Sequence, residues 1–288
     1  MFFGSVVAIV TPFTREGEVD ERALEELVKW HVKNHTDAIV CSGTTGESPT
    51  LSEREKLRVL QICIEASEKK IPIIAGTGCN NTEKSIELTA KAKAIGASGC
   101  LVVVPYYNKP SPVGLLKHYA EIAKVGLPVM VYHHPGRTGL TLSPALFSNL
   151  QKIDNIVSIK EASCNLTLMD EISKNCSLPI LSGDDALTVP IMQKGGTGVV
   201  SVMANILPYQ WSEITKFAKE KNFEKASEIY ERYRPLNDAI LKETNPQGIK
   251  YALSLLGRCN SFMRLPLVEP QEETKMAIKT EMKKANLI

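Results

Sequence analysis

Several signals that would restrict this chain to a class of partner are missing. Lys and Arg number 34 against 32 Asp and Glu, a net charge of +2, and no basic run carries interleaved aromatics. The balance gives no electrostatic reason to expect a nucleic acid or an anionic membrane. No apolar run approaches the length of a membrane span. The Met1 to Val7 stretch has no basic segment ahead of an apolar core, so no secretory leader is expected. The cysteines are seven, an odd number: Cys41, Cys63, Cys79, Cys100, Cys164, Cys176 and Cys259. None forms a C-x-x-C pair, which argues for reduced thiols in the cytoplasm rather than a disulfide framework. No G-x-G-x-x-G follows the first apolar run and no G-x-x-x-x-G-K-[ST] occurs anywhere, which weakens dinucleotide and phosphate-loop readings. There are no solenoid-period repeats and no low-complexity linkers.

What the chain has is alternation. It is 43% hydrophobic and 23% charged over 288 residues, enough for one large α/β barrel or two ordinary domains. Short apolar runs begin at Gly4, Ala38, Ile71, Gly99, Leu127, Ile156, Leu178 and Gly198. Helical patterns, with Gly or Pro in the loops, separate most of them. Asp20 is a plausible N-cap, Ser52 with Glu55 forms a capping-box pattern, and Ser143 followed by Pro144 is a strong helix start. Such alternation predicts a parallel sheet with crossover helices, and eight units suggest a closed (β/α)8 TIM barrel. Gly195-Gly196-Thr197-Gly198 resembles a phosphate cradle, but it precedes the eighth run and reads as a helix-to-strand turn. From Trp211 onward only helical patterns remain, at 211–220, 223–242, 247–256 and 272–285. The expected organisation is a barrel over residues 1–221 and an all-helical appendage over 222–288.

In a barrel of this kind, chemistry sits at the C-terminal ends of strands. The sixth run ends Ile156-Val157-Ser158-Ile159-Lys160-Glu161. A lysine at the end of a buried strand is poorly solvated, and desolvation favours a neutral amine able to attack a carbonyl. Taken alone, the stretch more often gives a solvated lysine, or one paired with Glu161. The other strand ends shift that balance. They offer Gly43-Thr44-Thr45-Gly46-Glu47, Pro105-Tyr106-Tyr107-Asn108, Tyr132-His133-His134-Pro135-Gly136-Arg137 and Ser182-Gly183-Asp184-Asp185. Phenols and hydroxyls can move protons, and an arginine can hold a carboxylate. Each has a plainer reading as a mouth aromatic, core tyrosine, turn hydroxyl or surface arginine. It is their joint appearance with Lys160 that points to carbonyl chemistry.

The motifs GSVVAIVTPF, GTTGES, IPIIAGTG, PYYNKPS, PGRTG, IKEAS, SGDD and RLPL occur in order along the whole chain. On them the chain resembles the dihydrodipicolinate synthase / N-acetylneuraminate lyase family of Schiff-base aldolases. Within the family it is most similar to the branch that condenses pyruvate with L-aspartate-4-semialdehyde in the diaminopimelate route to lysine. The resemblance implies that Lys160 forms an imine with pyruvate, with no other cofactor and no metal. It implies that Tyr132 moves protons near that imine and that Thr44 links Tyr132 to Tyr107 in a relay. The residue matching Tyr107 comes from a neighbouring subunit in the family, so a homo-oligomer is implied, commonly a tetramer built as a dimer of dimers. Thr45, the backbone at Val202, and Gly183 would belong to the substrate-binding set, and Arg137 would bind the semialdehyde carboxylate.

Two places depart from the family. Asparagine and an aliphatic usually follow the tyrosine where this chain has His133 and His134. Adjacent residues on an extended chain point to opposite sides, poor spacing for joint metal ligation. Some members bind lysine as feedback at a subunit interface. Ser48, Asn80 and Tyr106 match that pattern, whereas Glu53, Lys56 and Lys84 do not. A cation at 84, where an ammonium should be received, predicts weak or absent inhibition by lysine. The alternatives are a sister aldolase acting on a sugar acid of the sialic acid or ketogluconate type, and a catalytically silent regulatory homologue.

Overall fold

The computed structural model describes residues 2–288; Met1, part of the amino-terminal stretch read above, lies outside them. Eight strands close into one parallel barrel: β1 Gly4–Ala8, β2 Ala38–Cys41, β3 Ile73–Gly76, β4 Gly99–Val103, β5 Val129–His133, β6 Ile156–Glu161, β7 Ile180–Ser182 and β8 Gly198–Ser201. Each strand pairs with its sequence neighbours, and β8 returns to β1. The helices are α1 Glu21–Lys33, α2 Glu53–Ser67, α3 Thr82–Ile95, α4 Pro112–Ala123, α5 Pro135–Thr138, α6 Pro144–Leu150, α7 Leu166–Asn175, α8 Thr188–Gln193 and α9 Pro208–Lys219. Three further helices follow: α10 Phe223–Ile240, α11 Gln247–Leu255 and α12 Glu272–Lys284. Among the described residues, no helix is long and apolar enough to cross a membrane.

The local signals behave as their chemistry requires. The Asp20 side chain accepts from the Ala23 N–H. Ser52 and Glu55 form the reciprocal capping box of α2, and Ser143 caps α6 ahead of Pro144. One expected boundary shifts, and two short elements appear beside it. Residues 184–194 divide into a single 3-10 turn over Asp185–Leu187 and the short α8, with the Asp184 side chain capping the Ala186 N–H. Helix α9 starts at Pro208, not Trp211, with proline at the first helical position, where its missing N–H costs nothing. After β5 the chain forms the one-turn helix α5; its proline again occupies the first position, and Gly139 closes it at φ +69°. The Gly195–Gly198 segment is a helix-to-strand turn, its Gly196 and Thr197 amides donating to Ile191 and Ile180.

Period-2 alternation sorts the strands into two hydrophobic layers. Val6, Ala8, Val40, Ile74, Leu101, Met130, Leu181 and Val200 fill the barrel interior. Val7, Ile39, Cys100, Val131, Ile159 and Val199 face outward into the larger layer beneath the helices. One irregularity sits on β6. Val129 pairs with Ile156, but Met130 pairs with Ser158, so Val157 is an extra residue, a β-bulge. Beyond it Tyr132 pairs with Lys160, and His133 with Glu161.

Closure between β8 and β1 depends on backbone contact. A Cβ at Gly198 would lie 2.2 Å from the Gly4 carbonyl oxygen and 2.5 Å from its nitrogen. Backbone cannot yield as a side chain can. Gly198→Ala is expected to destabilise the protein by about 3 kcal/mol or to prevent folding, read as a lowered midpoint in urea unfolding followed by far-UV circular dichroism.

Candidate active site

Lys160 and Tyr132 meet because the β5–β6 register puts them side by side on the inner face. Lys160 is 6% exposed and Tyr132 5%. The lysine Nζ sits 4.1 Å from the centroid of the phenol ring. Burial lowers the Lys160 pKa to about 7; the Asp185 carboxylate works against that fall and the Arg137 guanidinium adds to it. Burial likewise raises the Tyr132 phenol, while Arg137 and the Thr44 hydroxyl pull it back. The amine and the phenol, whose ordinary values lie close together, are thereby moved apart: the amine releases its proton near neutrality while the phenol keeps its own.

A cavity of about 220 Å³ opens beside this pair. Thr44, from the turn after β2, shares its wall with Tyr132 and Arg137, and Ser48, Lys56 and Tyr106 stand farther along it. Lys160 packs on Tyr132 rather than on that wall. Arg137 projects from α5 and donates from a terminal guanidinium nitrogen to the Asn245 carbonyl at 3.2 Å. Thr45 is buried, and its hydroxyl accepts from the Asn245 side-chain amide at 3.0 Å, so it belongs to the support of the turn.

The remaining sequence-derived positions divide. Tyr107 is 90% exposed and has a left-handed φ of +72°; within one chain it does not join Tyr132. The backbone at Val202, which the resemblance assigns to the pyruvate carboxylate and keto region, is held in place by its own hydrogen bonds. Its N–H donates to Asp185 Oδ2 at 2.8 Å, and its carbonyl accepts from both the backbone and the side chain of Asn205. Gly183 contributes room, not a contact with the cavity. A Cβ there would lie 2.6 Å from the Ala162 Cβ and 3.1 Å from the Lys160 Cε. Of the six positions of the regulatory pattern, Ser48, Lys56 and Tyr106 line the cavity. Asn80 instead receives the Asn108 side-chain amide on its carbonyl, and Lys84 is exposed in the first turn of α3.

The structure adds residues that the strand-end survey left without a part. Asp185 is buried and holds the end of β8, accepting from the Ser201 hydroxyl, the Val202 N–H and the Met203 N–H. Burial raises its carboxyl to about 6 against these donors. His133 and His134 diverge, as alternation demands. His133 turns outward with no exposure, its Nδ1 2.6 Å from Glu161 Oε2 and its Nε2 accepting from the Leu142 N–H at 3.1 Å. That acceptor role places the ring proton on Nδ1, directed at the carboxylate. Glu161 is thereby occupied on the outer face and unable to pair with Lys160. His134 turns back toward Tyr132, ring centroids 5.8 Å apart and near perpendicular. Burial, with Arg137 and Lys160 nearby, lowers it to about 4. Among the described residues no three His, Cys, Asp or Glu side chains converge as a metal-ligand group.

A closed parallel barrel with a desolvated amine, a buried phenol and an arginine at the C-terminal ends of its strands defines a (β/α)8-barrel enzyme, of the lyase type by its relatives. A profile of the Dihydrodipicolinate synthetase family matches residues 1–285. The 4-hydroxy-tetrahydrodipicolinate synthase of Citrifermentans bemidjiense is 46% identical, each chain covered in full. The crystal structure of dihydrodipicolinate synthase from Aquifex aeolicus superposes with a TM-score of 0.97 at 42% identity, over 99% of each chain. The chloride-inhibited dihydrodipicolinate synthase from Acinetobacter baumannii, complexed with pyruvate, gives 0.97 at 40% identity over the whole of both chains. The chain belongs to the dihydrodipicolinate synthetase family.

An amine that ionises near 7 is a cation below that pH and a nucleophile above it. Competitive labelling with acetic anhydride and peptide mapping should show Lys160 gaining reactivity as pH rises through about 7, whereas surface lysines do so only near pH 10. Asp185→Asn removes the charge that holds the value up, so the midpoint should move lower still.

Proposed function

We propose that the protein condenses pyruvate with L-aspartate-4-semialdehyde to give 4-hydroxy-tetrahydrodipicolinate, within the diaminopimelate route to lysine. The observation that carries this reading is the desolvated Lys160 amine against the Tyr132 ring at the end of β6. The neutral amine attacks the keto carbon of pyruvate, and loss of water leaves an imine. The imine is the only covalent auxiliary the reaction requires. Removal of a methyl proton gives the enamine, whose carbon attacks the aldehyde of the second substrate. The substrate's own amine then displaces Lys160 by transimination, which closes the ring and regenerates the amine.

Tyr132 takes and returns the protons, with Thr44 beside it as the next member of the relay. Tyr107 completes that relay from a second copy of the chain in a dimer of dimers. Its exposure in the single chain supports this reading, since an aromatic ring so exposed gains from being covered. Arg137, on the cavity wall, holds the carboxylate of the semialdehyde. Thr45 and Gly183 serve the substrate site through the turn and the lysine stem that they shape. The small cavity and the guanidinium favour a short carboxylated aldehyde over a sugar acid. The same wall carries Lys56 beside Ser48 and Tyr106, a poor receiver for another ammonium, so L-lysine binds weakly or not at all.

Incubation with pyruvate and borohydride should attach a reduced adduct to Lys160 by mass mapping, and Lys160→Ala should abolish both adduct and condensation. Arg137→Ala should raise KM for the semialdehyde roughly 30-fold, as loss of a charge-assisted pair predicts, while pyruvate labelling persists. Unchanged KM, or faster cleavage of sialic acid than condensation, would remove the assignment of the second substrate. In the same assay L-lysine should leave the rate essentially unchanged at micromolar concentrations.

A further inference from the structure

The turn that carries Thr44 and Thr45 ends in Glu47, and that residue is unusual in three respects. It is 1% exposed, it has a left-handed φ of +54°, and its side chain is fully buried against a lysine 203 residues away. Lys250, on α11, places its Nζ 2.6 Å from Glu47 Oε1. It also donates to the Phe262 carbonyl at 2.8 Å and lies 4.2 Å from the centroid of the Phe13 ring. The second carboxylate oxygen accepts from the Arg264 N–H at 3.1 Å. Every charge is thus satisfied in a space closed to water. The Glu47 N–H in turn donates to the Thr44 carbonyl at 3.0 Å, and the Ser48 N–H to Gly43. A displacement of Glu47 would therefore displace Thr44.

A second tether runs parallel to the first. Asn245, two residues before α11, donates from its side chain to the Thr45 hydroxyl and receives Arg137 on its carbonyl. One short segment of the C-terminal helices thus grips the turn after β2 at Thr45 and Glu47, and touches the arginine across the cavity. Buried ion pairs are weak contributors to stability, since desolvation offsets the attraction and apolar replacements are often neutral. What such a pair does supply is direction. Opposed, fully hydrogen-bonded charges tolerate little displacement, whereas two apolar side chains slide.

We propose that the Glu47–Lys250 pair is a positioning device: through it α11 holds the Thr44–Thr45 turn in the geometry that proton transfer at Tyr132 needs. The proposal rests on the Schiff-base reading above. Neither residue touches Lys160, so imine formation should survive loss of the pair while the later proton transfers suffer.

The test uses the full-length chain carrying Glu47→Gln with Lys250→Met, and separately Glu47→Leu with Lys250→Met, which fills the space with apolar atoms. Folding is followed by thermal denaturation. Borohydride trapping with pyruvate reports Lys160, and the condensation assay reports kcat and KM. The expected result is a folded protein labelled by pyruvate within about twofold of the parent, with pyruvate KM similarly preserved. Condensation kcat should fall roughly 30-fold, less than the roughly 10²–10⁴-fold that outright loss of an acid–base group costs, because the group is displaced and not removed. A folded double variant with parental kcat overturns the proposal. Labelling that falls in step with kcat also overturns it, since the damage is then general. So does failure to recover either variant folded, which would make the pair a requirement of the fold itself. Absence of labelling in the parent would strike at the Schiff-base reading instead.

Discussion

The cost of keeping a charge at position 160 governs the rest of the site. An ammonium buried on the inner face of a barrel loses its hydration and gains only a ring face in return. The Glu161 carboxylate, adjacent in sequence, would ordinarily offset that loss. It points through the opposite face of the sheet, where His133 and the Ser163 N–H occupy it. Asp185 supplies a negative charge, but its oxygens are committed to the end of β8. The surroundings thus neither neutralise the lysine fully nor leave it wet, and its affinity for a proton falls into the neutral range. The lysine, the glutamate and the histidine are best understood as one arrangement spread over two faces.

Much of this was legible along the chain. The eight apolar runs, the serine and aspartate caps and the strand-end inventory depend on periodicities of two and 3.6 and on local hydrogen bonding, which a linear reading captures. Lys160 and Tyr132 were visible for the same reason, because both terminate strands. Asp185 stood in that inventory without a part, since nothing local says that its carboxylate will meet amides from the next strand. His133 and His134 could be assigned to opposite sides. That one meets Glu161 and the other Tyr132 required the register. The Glu47–Lys250 pair was beyond a linear reading altogether: its members are separated by most of the chain, and each is a charged residue of the kind normally left on the surface.

The C-terminal helices acquire a different standing from their position in the sequence. A barrel needs no appendage to close, and α9 already covers β8 and β1. Helix α11 and the segment before it instead reach across to the turn after β2 and to Arg137. Arg264, farther on, adds the Glu47 amide contact and a paired interaction with Glu55 at the start of α2. These contacts concentrate on the mouth, where the fixed geometry of polar groups matters more than the area they cover.

The extra residue at Val157 carries a consequence for how such a sequence can change. In parallel strands paired residues share a face, and the shift at Val129/Met130 decides which face the second half of β6 presents. Pairing Val157 with Met130, with no residue left over, would bring Ile159 opposite Tyr132 and send Lys160 out beneath the helices. The catalytic identity of the barrel is therefore stored partly as a count. A slip of register that closes the bulge is a path from an enzyme to a chemically inert scaffold that changes no residue of the sequence.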